Sequence, residues 1–308
     1  MKIFFGGLGS CVKQALPKAM HISVWLLKIV LPVSLVVRLM QYYGIITILA
    51  DYLHPLFNFI GLPGATAIVF ITSIFLPLYG TIAVMTSLSM TMREATILTL
   101  MCLVAHSLLV ECAVMKKTGS SFIKMILLRI GMAFVVAMFL NAVLPVNNTP
   151  FMMVMHQEQY DSIGMLLLGW IESSTMLILI IMLIITALMI LQRILIEFNL
   201  IEYISRPLRP LMIFFGLPDK APFFWLVGNV VGLAYGSAVM IDMVQEGKLS
   251  LKESNDLNHH LAISHSLLED TLLFAALGIN IWVIMGTRVS FAMAVVWGRK
   301  LFTTVFNR

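Results

Sequence analysis

Two stretches of this 308-residue chain repeat one pattern of titratable side chains: His106-Ser-Leu-Leu-Val-Glu111 and His265-Ser-Leu-Leu-Glu269-Asp270. Histidine beside a carboxylate can pass on a proton, hold a cation or hydrogen-bond a polar solute, because imidazole changes charge near neutral pH. The i to i+4 spacing of His265 and Glu269 puts both on one helix face. The i to i+5 spacing of His106 and Glu111 does not, so Glu111 is expected to face another element or a helix break. The same groups suit zinc or iron, with Cys102 and Cys112 near His106. Leu261 stands where Cys102 falls in the second stretch, however, so thiol ligation is not part of the repeated design, and two histidines with acids, without known geometry, assign no metal site and no cofactor. A structural reading competes with the functional one: two packing networks that lock the repeated segments, with the acids at the membrane interface.

The elements that must position these groups follow from composition. The chain is 60% apolar and 11% charged, where a soluble domain carries about 25% charged residues. Its mean hydropathy is +0.98, so lipid covers much of the surface. The net charge is +5, but no basic run exceeds Lys116-Lys117, which excludes a nucleic-acid partner. Three cysteines, Cys11, Cys102 and Cys112, give no disulfide framework. Apolar stretches lie near 22–50, 64–90, 95–115, 122–144, 163–196, 221–245, 257–279 and 279–298. No ten-residue alternation suggests a barrel, so these are helices, and the fold class is an all-α polytopic membrane protein. Residues 1–20, with Lys2, Lys13 and Lys18, are expected as an interfacial helix. Residues 21–144 form a first membrane repeat, 145–162 an extracytoplasmic connector, and 163–308 a second repeat.

The repeat extends well beyond the histidines. The segments Asp51–Pro63 and Arg206–Pro218 share Leu53/Leu208, Pro55/Pro210, Leu56/Leu211, Phe59/Phe214, Gly61/Gly216, Leu62/Leu217 and Pro63/Pro218. Tyr79-Gly80-Thr81 matches Tyr235-Gly236-Ser237. Thr91 with Glu94 matches Ser250 with Glu253, each the hydroxyl-and-glutamate pattern of a helix capping box. Orientation comes from the basic residues, which favour the cytoplasmic side: Lys2/Lys13/Lys18, Lys116/Lys117/Lys124, Arg193/Arg206/Arg209 and Arg299/Lys300/Arg308, against an acidic connector with Glu158 and Asp161. All four clusters share one side if each half crosses a net three times, which makes the halves two inverted structural repeats with broken or re-entrant helices; the alternative is eight full spans in parallel halves, with one loop cluster disobeying the charge rule. Pro77 and Gly80 in one half, and Gly228, Gly232 and Gly236 in the other, mark the interruptions. Open backbone at a break binds ions or anionic groups, which nominates Thr72, Ser73, Tyr79, Gly80, Thr81, Asn229, Tyr235, Gly236, Ser237 and Asp242 for the solute. The glycine stripe 228/232/236 also suits close helix packing. His106, Glu111, His265, Glu269 and Asp270 are the intramembrane coupling groups, because charge in lipid is costly and marks function.

Paired Gly-Leu-Pro turns, Tyr-Gly-centred broken segments and a polar helix after each make the chain resemble the nucleoside-recognition (Gate) membrane proteins over about residues 50–280. That group includes spore maturation proteins, the membrane part of ferrous-iron transporter B and segments of concentrative nucleoside transporters. The resemblance implies a multi-pass protein of the bacterial inner membrane, moving a small polar or anionic solute by alternating access, with proton coupling as an option. The alternative is a structural or accessory membrane protein in an envelope or developmental process. The chain lacks a G-x-x-x-x-G-K-[ST] loop and the cysteine-containing gate motif of an iron transporter, which counts against iron. No nucleophile–base spacing supports an enzyme. The partners expected are the lipid bilayer, a small solute, and a second copy or a companion membrane protein. Arg288 is expected to pair with Asp270, Lys28 and Arg38 to snorkel, and His259-His260 to be solvated.

Overall fold

The computed structural model describes residues 2–151, 162–247 and 249–306. The acidic connector residues Glu158 and Asp161 lie outside the described residues. All the regular elements are helical, and among the described residues the strand-like pairing is one isolated bridge, Thr91 with Pro150. The surface is inverted relative to a soluble protein. Arg129 and Arg288 are fully buried at 0%, whereas Ile123, Leu127 and Trp282 are 67%, 66% and 79% exposed. That distribution matches a hydrocarbon solvent, in which charge is costly and apolar surface is not. Among the described residues, Met92–Lys117, Phe122–Val143 and Ile281–Val305 are long and apolar enough to cross a membrane. Two bent pairs raise the number to 5: Ala50–Phe59 with Gly64–Phe75 at 98°, and Met182–Glu197 with Leu200–Phe214 at 80°. The chain is an all-α polytopic membrane protein.

The first half runs α1 (Lys2–Tyr42), α2 (Ile45–Phe59), α3 (Ala67–Phe75), α4 (Leu78–Met85), α5 (Met92–Ala105), α6 (Leu108–Lys117) and α7 (Phe122–Val143). The second runs α8 (Ile163–Glu197), α9 (Leu200–Ser205) and α10 (Arg209–Phe214), then α11 (Ala221–Val230), α12 (Leu233–Gln245), α13 (Leu251–Ser264), α14 (Leu267–Ala275) and α15 (Ile281–Phe306). Residues 2–20, expected as a separate interfacial helix, are instead the start of α1, which continues through Pro17 and Pro32. Neighbouring helices can re-satisfy the backbone freed by an intramembrane proline. Helix α8 packs against α1, where Trp170 Nε1 donates to Ser34 Oγ at 2.9 Å and Arg38 Nη2 to Ser173 Oγ at 3.4 Å.

Local chemistry sets the boundaries twice over. Thr91 Oγ1 accepts from Glu94 N at 3.2 Å while Glu94 Oε2 accepts from Thr91 N at 2.7 Å; Ser250 and Glu253 repeat this at 3.2 and 2.8 Å. Each box satisfies two of the free N–H groups that open α5 and α13. Gly61 and Gly216 take left-handed φ values of 75° and 74°. A Cβ on Gly61 would overlap the Asn141 side chain, and one on Gly216 would sit 3.1 Å from the Trp297 ring. Helix α3 gives way to α4 at Leu76-Pro77, and α11 to α12 at Val231-Gly232, where Gly232 has φ 106°. A Cβ on Gly236 would lie 3.1 Å from Gly228 Cα, so this part of the glycine stripe packs α12 onto α11 backbone to backbone.

The halves are related by a pseudo-twofold axis. Gly119 lies against Leu251 (3.1 Å from its Cβ position to Leu251 Cδ2), and Gly278 against Met92 (3.4 Å to Met92 Cε). Gly278 is the repeat equivalent of Gly119, and Leu251 of Met92. Such reciprocal contacts, in which i meets j′ and i′ meets j, define an isologous interface.

Candidate functional site

The repeated histidines close α5 and α13. His106 and His265 both adopt extended backbone, and the serine after each is left-handed, Ser107 at φ 44° and Ser266 at φ 51°. A non-glycine residue in that region is strained, so surrounding contacts must hold it. They do so identically in the two halves. Ser107 N donates to Ser73 O of α3 at 2.8 Å, and Ser266 N to Gly228 O of α11 at 2.9 Å. The two kinds of interrupted helix therefore brace each other at the point where the histidines project.

An arginine supports each break. Arg129 of α7 donates from Nε to Val104 O (2.8 Å), from Nη2 to His106 O (2.9 Å), and pairs through Nη1 with Glu111 Oε2 (2.6 Å). Arg288 of α15 donates to Ile263 O (2.9 Å) and His265 O (2.6 Å), and pairs with Asp270 Oδ2 (2.8 Å). Each guanidinium thus satisfies carbonyls left open at a helix C-terminus, the end that favours positive charge. Each also fixes the carboxylate five residues beyond the histidine. The expected Arg288–Asp270 pair is present. Arg129, which the sequence reading passed over, is its repeat equivalent and was legible from that relation.

The histidines meet at the axis. His106 Nε2 lies 3.3 Å from His265 Nε2, with ring centroids 4.9 Å apart. Glu111 reaches both, with Oε1 3.2 Å from His106 Nε2 and Oε2 3.0 Å from His265 Nε2. The break at Ser107 explains why i+5 spacing joins His106 to Glu111, which a continuous helix would not do. Glu269 does not pair with His265; its Oε1 accepts from the Tyr79 hydroxyl at 3.0 Å, a link from α14 to α4 across the repeats. The acids thus lie in the buried centre, with Asp270 only 3% exposed.

The histidine hydrogen bonds define what the cluster can accept. His106 Nδ1 lies 3.0 Å from Leu103 O and His265 Nδ1 2.8 Å from Leu261 O. A carbonyl only accepts, so each Nδ1 carries the hydrogen and each neutral ring presents a lone pair at Nε2. Two lone pairs and a carboxylate therefore converge, an arrangement that calls for a cation among them.

The remaining candidates divide. Thr72 Oγ1 and Ser73 Oγ are satisfied within their own helix, by Ile68 O and Phe70 O at 2.7 Å. Thr81 Oγ1 and Ser237 Oγ, which are repeat equivalents, are buried without a hydrogen-bond partner among the described residues, as is Asn229 Oδ1. Gly80 and Gly236 are buried in α4 and α12. The side chains of Tyr235 and Asp242 lie outside the described residues. His260, expected to be solvated, is fully buried: it stacks on Phe215 at 5.1 Å between centroids and accepts from Trp225 Nε1 at 3.2 Å. Its place on the inner face of α13, below the capping box, removes it from water.

The broken-helix centre and the lipid-facing surface define a multi-pass membrane protein, and the comparison with known proteins agrees. The chain is similar to the uncharacterized membrane protein YvoD of Bacillus subtilis (strain 168), 28% identical over 297 residues that span 95% of this chain and 92% of the relative. No family model matches the chain, and no solved structure matches it.

Proposed function

We propose that the chain is a transporter of the bacterial inner membrane, of the nucleoside-recognition (Gate) type, moving a small polar solute by alternating access between two inverted repeats. The observation that carries this reading is the meeting of repeat-equivalent histidines at buried helix breaks. Broken helices that face each other across a pseudo-twofold axis supply a central site and two related outlets. Acceptors, not donors, converge on that axis, so the group received there is cationic; this narrows the small polar or anionic solute expected from the sequence. The hydroxyls of Thr81 and Ser237, without a partner among the described residues, supply polar groups in equivalent positions of the two halves.

Alternating access is tested without knowing the solute. In a chain freed of Cys11, Cys102 and Cys112, Thr81→Cys and Ser237→Cys are reconstituted into liposomes and treated with a membrane-impermeant maleimide from each side. Labelling of each position from both sides is expected. Labelling from one side only, or from neither, contradicts transport and favours the structural or accessory role.

A further inference from the structure

We propose that His106, His265 and Glu111 form a binding site for a divalent transition-metal ion of the zinc class, held on the axis between the repeats. This rests on the reading of the cluster as a cation-holding centre, but not on transport. Three observations carry it. The first is the fixed tautomer: Leu103 O and Leu261 O hold the Nδ1 hydrogens, so both Nε2 lone pairs face the cluster. A backbone carbonyl on the non-ligating nitrogen is the usual way in which a metal-binding imidazole is oriented.

The second is spacing. With bonds of about 2.0–2.1 Å to imidazole nitrogen and carboxylate oxygen, neighbouring ligand atoms of a tetrahedral ion lie about 3.4 Å apart. The two Nε2 atoms are separated by 3.3 Å, and the nearest Glu111 oxygens lie 3.2 and 3.0 Å from them. The three ligand atoms lie within 4.8 Å of one another, and a small contraction or expansion around one ion satisfies all three.

The third is composition. Arg129 pairs with Glu111 and Arg288 with Asp270, while Glu269 accepts from Tyr79, so the buried centre holds three carboxyl groups and two guanidiniums. Arg129 holds Glu111 through Oε2, as outer-shell partners of ligating carboxylates do, and leaves Oε1 facing His106. Two imidazoles and one carboxylate select a borderline ion. Magnesium and calcium prefer oxygen alone, and soft ions prefer thiolates, which the cluster does not contain. Three protein ligands leave a fourth position for water or solute.

The test uses full-length, untagged chain purified in detergent and stripped of metal. Zn2+ is titrated against a competing chelator, and Co2+ is followed by its visible absorption. One Zn2+ per chain is expected, with the absorption of four-coordinate Co2+, and affinity at least about 100-fold lower in His106→Ala, His265→Ala and Glu111→Gln. X-ray absorption of wild-type protein with Zn2+ needs no variant: nitrogen and oxygen neighbours at about 2.0–2.1 Å are expected, and a sulfur shell near about 2.3 Å overturns the assignment. Wild-type binding no tighter than that of a folded His106→Ala variant also overturns it, and leaves a proton as the cation. If that result accompanies two-sided labelling at positions 81 and 237, the metal site falls and the transport reading stands. Zinc binding with one-sided labelling gives the converse.

Discussion

His106 Nε2 lies 3.3 Å from the same atom of His265, 159 residues away in sequence, and the two residues are equivalents in a duplicated chain. A residue that touches its own equivalent sits on the axis relating the halves. The offset of 159 also relates Arg129 to Arg288, Glu111 to Asp270, Ser107 to Ser266 and Thr91 to Ser250. One structural unit was thus used twice, and its contribution to the centre is a histidine at a helix break, buttressed by an arginine. The symmetry is then broken at the acids: Glu111 keeps its arginine and also reaches the histidine pair, while Asp270 pairs with its arginine.

Because Arg288 and Asp270 are both buried, removing one charge leaves the other uncompensated. Asp270→Asn is expected to lower the unfolding free energy by about 3–5 kcal/mol. Asp270→Leu combined with Arg288→Met should cost clearly less than the two single changes added together. Unfolding of the five proteins (wild type, Asp270→Asn, Asp270→Leu, Arg288→Met and the double variant) in one mixed-micelle system measures both, and a loss below about 1 kcal/mol for Asp270→Asn contradicts the buried pair.

The left-handed serines give a prediction of opposite sign. Glycine takes φ values of 44° and 51° without the steric cost that a Cβ incurs, about 1–2 kcal/mol. Ser107→Gly and Ser266→Gly should therefore raise stability by about 1 kcal/mol each, whereas Ser107→Val and Ser266→Val should lower it. Thermal unfolding of the purified variants checks the order; destabilisation by glycine at both positions contradicts the strained breaks.

These breaks mark where sequence reasoning ended. The capping boxes, Gly-Leu-Pro turns and duplicated histidines were legible, because each depends on residue types at fixed spacing. A helix that stops at His106-Ser107 was legible only as one of two explanations for the i+5 spacing of Glu111: serine carries no left-handed signal, and its conformation is imposed by Ser73 O from another helix. The Tyr79–Glu269 link was likewise hidden, since nothing local to either residue names a partner across the repeats. Lys2, Lys13 and Lys18 among apolar residues suggest a separate interfacial helix, whereas the structure continues α1 through Pro17 and Pro32, because neighbouring helices can re-satisfy backbone freed by proline.

The second capping box predicts a pH dependence outside the membrane. The Ser250 backbone N–H, joined by its hydroxyl, holds the Glu253 carboxyl below the ordinary carboxylate range. A carboxyl with a lowered folded-state pKa contributes stability above its unfolded pKa and loses it as pH falls through the folded one. Wild type should therefore melt above Glu253→Gln at pH 7, and the gap should close as pH falls below about 4. A gap that persists unchanged at pH 3 contradicts the charged cap. Glu253 is largely exposed, so the effect is small.

The central claim is that the two repeats build one shared centre, and a double-variant cycle on its two histidines tests it most directly. Unfolding free energies of His106→Ala, His265→Ala and the combined variant are measured beside wild type, with His106→Ala and His54→Ala as a distant control pair. Residues in contact couple by about 0.5–3 kcal/mol, whereas distant ones add within about 0.3–0.5. A coupling above about 0.5 kcal/mol for His106 with His265, and none for the control pair, is the predicted result. Additive losses at His106 and His265 would contradict a shared centre.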